Sequence, residues 1–190
     1  MRLYSVQLPF NEAKVTQAAA KLLSLSDGEM NYTKLIKLLY LIDRQALLKW
    51  GRPVSTDCYV SMNKGPVLSN TLNLINDERE PGSTSVWAEY ISKPSNYRVS
   101  LLKAAPTDEL SQAEEELIEE VFNEFRAHNQ WQLIDFVHTL PEWQDPHGSA
   151  IPIDYKDILV AGNKTPIEIQ TIEEDLQNIA TVKWLLPRQQ

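Results

Sequence analysis

The sequence predicts a mainly α, α+β fold: a compact helical domain around one central apolar helix, with a small antiparallel β-hairpin or sheet. Three observations carry that expectation. Residues 32–50 place Leu35, Ile36, Leu38, Leu39, Tyr40, Leu41, Ile42, Ala46, Leu47, Leu48 and Trp50 on more than one side of a helix, as expected of a helix with neighbours all around it. Amphipathic stretches with helix-start chemistry recur on either side of it. Short segments near 56–62, 86–91 and 97–101 alternate with the period of strands. A chain of 190 residues, 43% hydrophobic and 23% charged, is long enough to build a core without staples. No fixed repeat, low-complexity tract or long Gly/Ser linker divides it.

The elements follow in order. Asn11 caps a first helix whose apolar face is Val15, Ala18, Ala19, Leu22 and Leu23. Ser24 to Glu29 form a polar break around Gly28. The central helix ends at Gly51, with Pro53 preventing its resumption, and its Lys34, Lys37, Asp43, Arg44 and Lys49 leave a basic strip for solvent or a partner. Thr56 to Met62 reads as a short strand. Asn63-Lys64-Gly65-Pro66 follows, with Pro66 at the first position of a short helix through Leu68, Leu72 and Ile75. A polar connection then leads to a β-hairpin, in which Val86, Ala88 and Tyr90 face Tyr97, Val99 and Leu101. Ser111 and Glu114 form a capping box opening a helix with a Leu117, Val121, Phe122, Phe125 stripe and a Glu115, Glu116, Glu119, Glu120, Glu124 face. Asn129 starts another helix, which runs through Trp131, Ile134, Phe136, Val137 and His138 and is limited by Pro141. Asp154 to Ala161 is a short helix. Thr165, Pro166 and Glu168 open the last one, with Ile169, Ile172, Leu176 and Ile179 inward.

The net charge of −8 is unevenly placed: residues 1–56 hold eight bases and four acids, the remainder ten and twenty-two. Such a balance disfavours nucleic acid and suits a protein partner with a basic patch. No run approaches the roughly 20 apolar residues of a membrane span, and the first residues lack a signal-peptide core, so a soluble, cytoplasmic protein without membrane contact is expected. The single cysteine, Cys58, reads as a buried small hydrophobe in a reducing compartment.

Catalytic and metal chemistry find little footing. Neither HExxH nor CxxC occurs, and nothing fixes a coordination geometry for His138, Glu142 and His147. Cys58 has no local activator, no GxSxG turn is present, and the glutamate run has the spacing of one solvated helix face. No cofactor or metal is expected, and the chain is not expected to be an enzyme. An enzyme using His138 with Glu142 is the rival reading. Lys64-Gly65-Pro66 is either an ordinary strand-to-helix turn or an anion-holding helix start. Trp50, Trp87, Trp131, Trp143 and Trp184 should mostly be core. The loop from His138 to Trp143 stands between core and interface; His138 itself reads as a helix-end residue hydrogen-bonded to that loop.

The order of these features resembles the Panacea-domain family, the SocA-type antitoxin domains of bacteria and phages. Thr33 to Asp43 resembles the family's early "lKLqKLLYfad"-like helix. Asn63-Lys64-Gly65-Pro66-Val67 resembles its "yGPV" turn, with Lys64 in place of the usual aromatic. Leu133 to Trp143, with Val137-His138-Thr139 and Pro141-Glu142-Trp143, resembles its "L…tH…pW" ending. The likeness covers about residues 12–160, giving a domain over 1–161 and a C-terminal helical extension over 162–190. It implies a type II antitoxin that binds a cognate protein toxin and blocks it. A second implied reading is an adaptor delivering a bound protein to a cytoplasmic protease, with residues 184–188 as the tether; a third is a phage-associated regulatory interaction protein. On the antitoxin reading the candidate partner-binding residues are Lys64, Gly65, Pro66, Glu119, Glu120, His138 and Trp143.

Overall fold

A computed structural model describes residues 6–78 and 84–185. The elements are α1 (Glu12–Leu25), β1 (Glu29–Asn31), α2 (Tyr32–Trp50), β2 (Tyr59–Met62), β3 (Gly65–Leu68), α3 (Ser69–Ile75), α4 (Val86–Tyr90), β4 (Arg98–Ser100), α5 (Gln112–Phe125), α6 (Gln130–His138), β5 (Ile151–Ile153), α7 (Tyr155–Ala161) and α8 (Pro166–Leu185). The fold is mainly α, with two small antiparallel sheets in the orders β1-β4 and β3-β2-β5. Described residues include no helix long and apolar enough to cross a membrane.

Helix α2 is the centre. Leu35 to Asp43 are all buried, and the helix packs against α1, α5, α6, α7, β1, β3 and α3. Its start is held by the Asn31 carboxamide oxygen, which accepts from Thr33 and Lys34 N–H, and its end by Gly51 at φ +71°. Capping chemistry places the other helices as the sequence suggests. The Asn11 side chain accepts from Lys14 N–H, Ser111 and Glu114 close a capping box on α5, and Asn129 with Gln132 closes another on α6. Helix α8 lays Ile169, Ile172, Leu176 and Ile179 inward; Ile172 Cγ1 stands 3.1 Å from where a Cβ on Gly51 would be.

Four expectations are corrected. The hairpin beginning at Val86 is a short helix, α4, because the Ser85 hydroxyl accepts from Ala88 N–H, and the Glu12 carboxylate from Trp87 N–H and the Ser85 hydroxyl. Strand β4 pairs instead with β1, inside the supposed polar break, so that Met30 and Val99 meet in the core. Of the expected hairpin, isolated bridges remain at Ile91–Leu101 and, at its turn, at Ser95–Arg98. Pro66 does not open a helix: it lies in β3 opposite Ser61, on an edge strand where its missing N–H is tolerated, and the helix starts at Ser69. Cys58 is exposed, because the inward face of its segment is taken by Asp57, Tyr59 and Ser61. Of the tryptophans, Trp87 is core, whereas Trp50 and Trp131 are exposed and Trp143 is partly buried. Of the tether expected at residues 184–188, the side chain of Trp184 and residues 186–188 lie outside the described residues.

Two buried aspartates fasten the loop after α2. Asp43 accepts from Val54 N–H (3.0 Å), Ser55 N–H (2.8 Å), the Ser55 hydroxyl and the Tyr59 hydroxyl (2.9 Å). Asp57 accepts from Asn70 and Thr71 N–H and from the Thr71 hydroxyl, capping α3 from another segment where Leu68 has no side-chain cap to offer. Asp57→Ala strands those buried donors and should cost about 3 kcal/mol, read as a lower urea midpoint. Burial raises the Asp43 carboxyl from 3.8 to about 6. Its proton is therefore held more tightly folded than unfolded, and stability from this group falls as pH rises from about 4 to 6. Asp43→Asn keeps the acceptor for Val54 and Ser55 and does not ionise. Relative to wild type it should gain about 2–3 kcal/mol between pH 4 and pH 7 in parallel unfolding curves.

Candidate functional site

The three motif stretches, far apart in sequence, meet along one stripe of α2. Lys34, Lys37, Tyr40 and Arg44 recur at helical spacing, and between them they reach three other pieces of the chain. Lys34 Nζ donates to the carbonyls of Arg126 (3.0 Å) and His128 (2.6 Å), closing the C-terminal end of α5. Lys37 Nζ donates to the Pro66 carbonyl at 2.7 Å and is 1% exposed. Tyr40 and Arg44 both donate to Glu142 Oε1, at 2.9 and 2.6 Å, and the Glu142 side chain is fully buried. The basic strip expected to face solvent or a partner does so only in part: Lys37 is buried, Lys34 and Arg44 are partly buried, and Lys49 stays exposed. Asp43 is buried, Lys37 holds the hairpin, Arg44 pairs with Glu142, and Lys49 pairs with Glu120 at 2.7 Å.

Desolvation dominates the electrostatics. Burial, reinforced by the Lys64 charge, lowers the Lys37 ammonium to about 7. Burial and then the Glu142 carboxylate raise the Tyr40 hydroxyl well above the phenol range. These groups fit anchoring, since their hydrogen bonds are already made to protein atoms.

The turn and the helix exit lock together over Gly65. Its φ of +93° suits glycine, and a Cβ there would stand 2.4 Å from Val137 Cγ2, 3.5 Å from His138 Cδ2 and 3.5 Å from Lys37 Nζ. The His138 ring stacks on Trp143 with centroids 4.1 Å apart, and Trp143 Nε1–H donates to the Met62 carbonyl at 3.1 Å. The expected hydrogen bond from His138 to its loop is replaced by that stacking, and the buried His138 Nε2 has no partner. Lys64 projects from the β2–β3 turn with its ammonium 5.9 Å from the Trp131 ring centroid. Lys64, Gly65, Pro66, His138 and Trp143 therefore form one assembly, with Gly65 and Pro66 buried, His138 and Trp143 partly buried and Lys64 exposed.

Glu119 and Glu120 lie elsewhere, exposed on α5, and are already paired with Lys21 (2.7 Å) and Lys49. His138, Glu142 and His147 do not converge: Glu142 faces α2, while His147 stands 3.6 Å from Asp145. Among the described residues no group of His, Cys, Asp and Glu is arranged to hold a metal. Two clefts of about 610 and 630 Å3 border α8, sharing Arg52, Ser111 and Ile179, and contain none of the nominated residues. Sequence reasoning missed the anchoring roles of Lys37, Tyr40 and Glu142. The available signal was a lysine and a tyrosine set at helical spacing within an otherwise apolar run.

Gly65→Ala should destabilise the domain by about 3 kcal/mol or more, because it combines a disallowed φ with a clash. Adding Val137→Ala should relieve only the steric part. Thermal unfolding of the single and double variants checks the order.

The family model of the antitoxin SocA-like, Panacea domain matches residues 35–144. That span begins in α2, contains the β2–β3 turn and ends just after Trp143, whereas α1 and α8 lie outside it. No curated protein and no solved structure matches the chain. Because the match covers more than half of the chain and contains Lys37, Tyr40 and Arg44 with their partners Pro66 and Glu142, this chain belongs to the antitoxin SocA-like, Panacea-domain family.

Proposed function

We propose that this chain is the antitoxin of a type II toxin–antitoxin pair, neutralising a cognate protein toxin by direct binding in the cytoplasm. It acts as a binding module and carries out no reaction. The observation that supports the reading is family membership across α2 to α6, an antitoxin-type domain whose motif residues here serve to join segments. A surface held this firmly is prepared for a partner, since little ordering remains to be done on binding. The assembly of Lys64, Gly65, Pro66, His138 and Trp143 is the proposed contact region, with Lys64 and Trp143 reaching its surface. Glu119 and Glu120 offer less, because their charges are already matched by Lys21 and Lys49.

Expression of the small protein encoded beside this chain should arrest growth when alone. Coexpression with this chain should restore growth, and the two should purify as a stoichiometric complex at moderate salt. Growth arrest that this chain does not relieve, or relief without a complex, would overturn direct neutralisation.

A further inference from the structure

We propose that the exposed surface around Lys64 and Trp131 binds an acidic segment of a partner polypeptide. The proposal rests on the antitoxin reading for the identity of that partner, and adds the chemistry of what it offers.

The distribution of unanswered charge carries the argument. Across much of the molecule, cations have carboxylate partners: Lys14 with Glu114, Lys21 with Glu115, Lys49 with Glu120. Lys34, Lys37, Lys64 and Arg126 have none among the described residues, although the chain carries an excess of acids. Lys34 and Lys37 lie one turn apart on α2, Lys37 stands beside the turn that carries Lys64, and the Arg126 backbone is held by Lys34. Lys34 Nζ also donates to the His128 carbonyl, and Lys64 is close enough to disfavour the charged form of Lys37. Lys37 is buried and already bonded to the Pro66 carbonyl, so the cation that an anion reaches at the turn is the exposed Lys64.

Trp131 gives the patch its apolar element. It lies in the first turn of α6, 60% exposed, with Lys64 over its ring. Exposed tryptophan beside unpaired cations combines broad contact area with charge, as at binding hot spots. The surroundings favour a short acidic peptide segment over a nucleic acid. Asp135 is exposed one turn further along α6. Asp145 lies in the loop that reaches the turn through Gly148 N–H and the Asn63 carboxamide oxygen. A short carboxylate segment engages the turn locally, whereas an extended phosphodiester chain would run across these acids and across the rest of a chain of net charge −8.

The test uses the full chain and an N-acetylated, C-amidated hexaglutamate peptide, followed by isothermal titration calorimetry at low salt. Saturable binding is expected that weakens as salt rises, is lost in Trp131→Ala, and in Lys64→Glu requires about tenfold more peptide. Lys156→Glu, an equal charge change at an exposed site on α7, should bind as wild type does. Failure of wild type to bind, or equal weakening in Lys64→Glu and Lys156→Glu, overturns the proposal. Tighter binding of oligothymidylate through Lys64 and Trp131 overturns its polypeptide assignment. In the growth assay, full neutralisation by Lys64→Glu and by Trp131→Ala would remove this surface as the toxin contact and leave the antitoxin reading standing. Hexaglutamate binding with no toxin relieved would do the reverse.

Discussion

A helix at the centre of a domain has no water to satisfy its polar side chains, and α2 carries Lys37, Tyr40 and Asp43 into that position, with Arg44 beside them. Burying such groups is costly unless each finds a partner, and removing one partner leaves the other stranded. The chain answers them with three different segments. The Pro66 carbonyl meets Lys37, Glu142 meets Tyr40 and Arg44, and the loop through Ser55 with the Tyr59 hydroxyl meets Asp43. The hairpin turn, the exit of α6 and the loop after α2 are thus positioned by hydrogen bonds to one helix. The apolar residues between them supply the area that makes the core favourable, while these bonds fix which segment sits where.

The same arrangement shows what the family motifs do in this fold: they join segments. Gly65 lets the turn approach Val137 and His138, and Trp143 ties the helix exit to the Met62 carbonyl. The elements that carry Lys64 and Trp131 are therefore fixed from behind. A partner meeting a surface already in its binding shape loses less of its attraction to ordering that surface. Charge follows the division of labour: carboxylates along α5 are matched across to α1 and α2, and the cations around the turn are not.

Local chemistry was readable wherever a helix contains its own signals. Asn11, Gly51, the Ser111–Glu114 box and Asn129 each act within a few residues, so the sequence predicts α1, α2, α5 and α6 at their observed positions. Short segments were different. Val86 to Tyr90 alternates like a strand, yet a carboxylate from Glu12, far away in sequence, accepts from the first turn and makes it helical. Pro66 is compatible with both a helix start and an edge strand, and pairing with β2 decided between them.

The sequence by itself determined the helical class, the central helix, most of the caps and the three stretches that mark the family, because each depends on residue order over a few turns. The tertiary structure alone decided that Lys37 and Arg44 of the basic strip of α2 are taken up by contacts within the protein, that Cys58 faces out, and that Glu142 anchors Tyr40 and Arg44. It also decided that Trp131 stands exposed beside Lys64. The physical reason is common to all four: whether a polar or aromatic side chain is buried depends on which distant atoms arrive to satisfy it or cover it. Periodicity along a single element does not contain that information.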